Sequence, residues 1–72
     1  MNVNIDDYDR FVVERNRQYL VFVRDGKWLK FSTSPYDAAR LRTQNEARAV
    51  ARKIGGRVAV FNNLTGDVRI KG

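Results

Sequence analysis

The sequence predicts a small α+β domain: an antiparallel sheet, made of a three-stranded meander and a C-terminal hairpin, packed on one main helix. Three observations carry this expectation. Residues 19–31 (YLVFVRDGKWLKF) set two apolar runs about Asp25-Gly26, a dipeptide suited to the positive dihedrals of a tight hairpin turn. Residues 43–56 (TQNEARAVARKIGG) have helical periodicity between a start and a stop signal. Residues 57–62 (RVAVFN) alternate like a strand, and Val68, Arg69 and Ile70 form a short return.

Taken in order, residues 1–9 carry Asn, Asp and Ile without a period. They read either as a flexible acidic arm or as one short turn. Phe11-Val12-Val13 is a β-branched run ending at Glu14-Arg15, which predicts the first strand, and Asn16-Arg17-Gln18 is the turn out of it. In the following hairpin a two-residue turn places Val23 opposite Trp28, Phe22 opposite Leu29 and Val21 opposite Lys30. Strand alternation then gives Leu20, Phe22, Leu29 and Phe31 one face, and Tyr19, Val21, Val23, Trp28 and Lys30 the other. Both faces are apolar, and a chain this short is expected to leave one of them uncovered.

Ser34-Pro35 followed by Asp37 is a helix start, with Ala38, Ala39 and Arg40 continuing it for about one turn. The main helix begins at Thr43, with Glu46 at capping-box spacing. Its apolar stripe is Ala47, Val50, Ala51 and Ile54, and Gly55-Gly56 stops it, since glycine accepts the left-handed conformation. The two alanines let it lie close on Leu20, Phe22, Leu29 and Phe31. Asn45, Arg48, Arg52 and Lys53 point away. Residues 62–67 are turn-rich, with Gly66 at the position requiring a positive dihedral.

Composition excludes much. With 72 residues the chain is one domain, and hydrophobic content of 43% suffices for a core. There is no Cys and no His, which removes disulfides, thiolate sites and the commonest general base. The hydroxyls of Ser34 and Thr43 have capping roles, so nucleophilic catalysis lacks a base. No enzyme activity and no cofactor are expected. Asp6, Asp7 and Asp9 lack the glycine and distal glutamate of a calcium loop, so no metal is expected either. Asn63-Leu64-Thr65 matches a glycosylation sequon, but no signal peptide precedes it. No apolar run is long enough to span a membrane, so a cytoplasmic monomer is expected.

The net charge of +6 is unevenly placed. Residues 1–14 hold one basic residue against four acidic ones, net −3, and the rest hold thirteen against four, net +9. This predicts two surfaces with different electrostatic tasks. Asp6, Asp7, Tyr8, Asp9 and Phe11, together with the apolar hairpin face of Val21, Val23 and Trp28, are the candidates for contacting a protein partner. Arg24 and Lys27 at the hairpin tip, with Arg40, Arg42, Arg48 and Arg52, are the candidates for facing nucleic acid. The ordinary alternatives are sheet packing for Trp28 and a solvated helix face for the arginines. The order of sheet then helix, with GKW before TQNEARAVARKIGG, has a faint likeness to AP2-like sheet-type DNA readers. The added strand pair departs from that layout.

The acidic NIDDYDRF start, the YLVFVRDGKWLKF hairpin and the basic composition together resemble a small phage-encoded RNA-polymerase-binding antitermination regulator, of the kind found in a Xanthomonas phage. The likeness runs over length and layout and rests on no short motif. It implies a partner, host RNA polymerase, contacted near the N-terminal part of its largest subunit and the RNA exit channel. It also implies inhibition of host promoter initiation and readthrough of intrinsic terminators, with nascent RNA or DNA as a further contact. A stand-alone basic nucleic-acid-binding domain is the alternative function.

Overall fold

Strand β1 (Asp9–Arg15) is the middle of a five-stranded antiparallel sheet of order β3-β2-β1-β4-β5, with β2 at Gln18–Val21, β3 at Lys30–Ser32, β4 at Arg57–Asn62 and β5 at Val68–Ile70. One helix, α1 (Gln44–Ile54), packs on one face. The computed structural model describes residues 5–21 and 30–71, the side chains of residues 5 and 6 excepted. The expected turn at Asp25-Gly26, and with it Phe22, Val23, Arg24, Lys27, Trp28 and Leu29, lies outside the described residues. The α+β class and the meander-plus-hairpin arrangement are as the sequence predicts. The pairing Val21↔Lys30 is also as expected, continued by Leu20↔Phe31 and Tyr19↔Ser32.

The β1–β2 connection is a two-residue turn in which Asn16 and Arg17 take φ of 53° and 65°. Both central residues are left-handed, the type I′ geometry that matches the twist of a hairpin. β1 starts at Asp9, two residues before the apolar run suggests, because β4 pairs with it along its whole length from Asp9↔Asn62 to Glu14↔Arg57. Ahead of it, Ile5–Tyr8 forms a 3-10 turn held to the end of β4 by the Asn63 N–H donating to the Tyr8 carbonyl at 3.0 Å. Of the two alternatives for this segment, its described residues take the turn.

Alternation along β1 and β4 builds two cores. On the helix face Val13, Leu20, Leu41 and Val58 bury against Ala47 and Ala51, with Phe11, Phe31, Val50 and Ile54 around them. The helix docks through the stripe the sequence marks, but chiefly on β1 and β4 and not on the expected hairpin face, of which Leu20 and Phe31 join the same cluster. Thr43 caps it, its Oγ1 accepting from the Glu46 N–H at 3.1 Å, and Gly55 ends it at φ 72°. Arg15 braces that end: its Nη1 donates to the Ile54 carbonyl at 3.0 Å while its guanidinium lies 4.4 Å from the centre of the Phe31 ring. A cation here also offsets the negative end of the helix dipole.

The opposite face bears on the expected uncovered hairpin face at Tyr19 alone, since Val23 and Trp28 lie outside the described residues. Val12, Ala38, Ala59 and Phe61 form a second buried cluster, with Tyr19 and Val68 packed on it, and the Tyr36 ring meets Phe61 edge-on at 4.8 Å between centroids. On this face the sheet is therefore covered over β1 and β4. The covering segment starts with the expected helical turn but does not continue it through Ala38, Ala39 and Arg40. Pro35–Asp37 is a single 3-10 turn with Ser34 as its cap, and Ala38 is already extended at ψ 147°.

The extended residues 38–41 then pass between β1 and β2 where these part beyond Glu14↔Tyr19. The Ala39 N–H donates to the Leu20 carbonyl and the Leu41 N–H to the Phe11 carbonyl, each at 2.9 Å. Ala38 thus sits in one cluster and Leu41 in the other. Splayed backbone groups that lack strand partners find them in this crossing segment.

Candidate functional site: two sets of arginines

The described arginines divide into those that hold the fold and those whose side chains make no bond among the described residues. Arg57 belongs to the first set: its Nε and Nη2 donate to Glu14 Oε2 at 3.1 and 2.9 Å. Glu14 is only 4% exposed, and its other oxygen accepts the Arg17 N–H at 2.8 Å. A buried carboxylate persists only with such donors. Here they come from the neighbouring strand and from the β1–β2 turn. Arg69 Nη2 pairs with Asp9 Oδ2 at 3.3 Å, and Arg10 Nη1 donates to the Asp7 and Asp9 carbonyls at 2.7 and 2.8 Å.

Arg40, Arg42, Arg48 and Arg52 are all exposed, and none makes an ion pair or side-chain hydrogen bond among the described residues. They border two different depressions. Arg48 and Arg52 lie one turn apart on α1 and border an open depression with Gly55, Gly56 and Val58. Arg40 and Arg42 flank Leu41 at the crossing segment, and border a different depression with Asp9, Arg10 and Phe11. The division of charge seen along the chain is thus blurred in space, since this arginine pair stands beside Asp9 of the acidic N-terminal segment.

The expected protein-contacting residues also part company. Asp7 is exposed and Tyr8 half-buried, so both present at least part of their surface. Asp9 is engaged on both oxygens, accepting from Asn62 Nδ2 at 2.8 Å and from Arg69. Phe11 packs against the helix-side core and is a structural residue more than a free anchor. Val21 is half-buried. The side chain of Asp6, and Val23, Trp28, Arg24 and Lys27, lie outside the described residues.

Two features escape sequence reasoning. The burial of Glu14 depends on β4 arriving from 43 residues away. Gly56 is more than a helix stop: a Cβ there would lie 2.7 Å from the Glu14 carbonyl oxygen and 3.0 Å from Val13 Cγ1. A bare backbone is the only local signal it offers. Among the described residues no three acidic side chains gather as a metal site would require, and no helix is long and apolar enough to cross a membrane. No protein-family model, curated protein or solved structure matches the chain.

Proposed function

We propose that this protein is a non-enzymatic, phage-encoded transcription regulator that works in the host cytoplasm by binding host RNA polymerase. In this reading it inhibits initiation at host promoters and favours readthrough of intrinsic terminators, docking near the N-terminal part of the largest subunit and the RNA exit channel. The reading rests on the resemblance of the whole chain to such regulators. The supporting structural observation is the placement of Asp7 and Tyr8 at a turn pinned to the end of β4. A turn held in place offers a basic partner charge and an aromatic contact without an ordering cost. The test is co-elution of the purified protein with core RNA polymerase at moderate salt, with terminator readthrough measured in parallel. Absence of both with polymerase from the proper host overturns the reading.

A second reading, a basic nucleic-acid-binding domain, is favoured by the arginines that no partner among the described residues neutralises. Salt separates the two. Phosphate binding weakens steeply as ionic strength rises, whereas a mixed apolar and polar protein interface holds its affinity.

A further inference from the structure

Two open depressions meet at Gly55-Gly56. One, of about 450 Å³, runs along α1 beside Arg48 and Arg52 to Val58. The other, of about 370 Å³, extends from the same glycines past Glu14 and Arg57 to Arg15 and Arg17 at the β1–β2 turn. Together they carry five arginines and one carboxylate, and that carboxylate is already bonded to Arg57. At their junction Gly55 has open space where a side chain would project, so nothing there keeps a ligand's chain at a distance.

Arg17 adds an independent observation. It is exposed and sits at φ 65°, a conformation that glycine adopts freely and a long side chain rarely does. In a type I′ turn the residue after Asn is preferentially glycine. Its guanidinium makes no bond among the described residues that would account for an arginine there. Strain of this kind points to a role outside the fold.

We propose that this strip is a track for the sugar–phosphate backbone of a single-stranded nucleic acid, contacted by Arg48 and Arg52 on one side of the glycines and by Arg17 on the other. The inference rests on the nucleic-acid reading above and names its site. Arg48 and Arg52, one helical turn apart, reach successive phosphates from the same side. The negative end of α1 would repel an anion, but Arg15 donates to the Ile54 carbonyl and the Gly56 N–H to the Ala51 carbonyl, so the exposed carbonyl charge is offset. The strip passes around the end of the helix. A duplex, stiff over about 150 base pairs, does not bend on that scale, and a single strand does.

The test is fluorescence anisotropy of a labelled mixed-sequence single-stranded RNA, on the order of 15 nucleotides, titrated with the full chain over a salt series. Three phosphate contacts on a single strand give a slope of log K against log salt near −2, at about −0.7 each. The variant R17G/R48A/R52A, with its fold checked by circular dichroism and urea midpoint, should lose most of this slope. R40A/R42A, which removes nearly as much charge at the other depression, should keep it, and R48K/R52K should retain binding. If the wild-type protein does not bind RNA, the nucleic-acid reading itself fails and the track with it. If binding persists with the slope unchanged in the triple variant, or falls equally in R40A/R42A, the reading stands and the track is wrong.

Discussion

Gly56 lies against the backbone of Glu14 so closely that a single added methyl group would sit 2.7 Å from the Glu14 carbonyl oxygen. The neighbouring Gly55 has open space around its Cβ position but a φ of 72°. The two glycines therefore serve different needs, contact at 56 and conformation at 55. G56A should cost about 1–3 kcal/mol through overpacking against a strand that cannot yield, and G55A about 1 kcal/mol through its left-handed backbone. Urea unfolding measures both. Equal, small losses would mean that the strand gives way after all.

Removal of Arg57 strands a buried carboxylate. R57A leaves Glu14 with one donor, the Arg17 N–H, so the loss should exceed that of an exposed pair. Because the Arg57 side chain is 59% exposed, screening keeps it below the full cost of a broken buried pair, at about 1–2 kcal/mol. A change within about 0.5 kcal/mol, the usual scatter of surface substitutions, would show that water replaces the guanidinium.

Arg17→Gly should make the protein more stable by about 0.5–1 kcal/mol, since the turn then has the Asn-Gly sequence its geometry favours. A rise in the urea midpoint together with weaker RNA binding would separate the residue's cost to the fold from its use. A fall in the midpoint would show that Arg17 supports the turn.

Asp7 and Asp9 distinguish partner contact from structure. D9K breaks the bonds to Asn62 and Arg69 and should lower stability by about 1–2 kcal/mol. D7K removes an exposed carboxylate with no side-chain bond among the described residues and should leave the urea midpoint within about 0.5 kcal/mol. Weakened polymerase co-elution by D7K at unchanged stability is the outcome expected of the proposed docking turn; full co-elution by D7K removes Asp7 from it.

Thr43→Ala tests the one cap of α1 made by a side chain at its start, with an expected loss of about 1 kcal/mol. Serine at the same position should restore it.

Local chemistry wrote the parts of the fold that could be read in advance. Thr43, Glu46 and the Gly55-Gly56 pair bound α1 through interactions within a few residues, and the alternation about 19–31 set the register seen at Val21↔Lys30. What could not be read depends on strands distant in sequence. That β1 is central, that Glu14 is buried and that Phe11 joins the core all follow from β4 docking across more than 40 residues. The segment 38–41 was misleading for a related reason. Ala38 and Ala39 favour helix by propensity, but the unpaired carbonyls of Leu20 and Phe11 claim the segment as extended chain. At the candidate site the helix arginines were legible from spacing. Arg17 was not, since only the backbone conformation of its turn sets it apart.

The sheet order β3-β2-β1-β4-β5 has a consequence for the growing polypeptide. Asp9–Arg15, the strand that ends at the centre, leaves the ribosome more than 40 residues ahead of its partner β4. Until residues 57–62 emerge, one side of Asp9–Arg15 has no neighbour within its own molecule, and its Phe-Val-Val run stays open to any extended chain it meets. Slowing translation between α1 and β4 should therefore raise the yield of aggregated product without altering the stability of the molecules that fold.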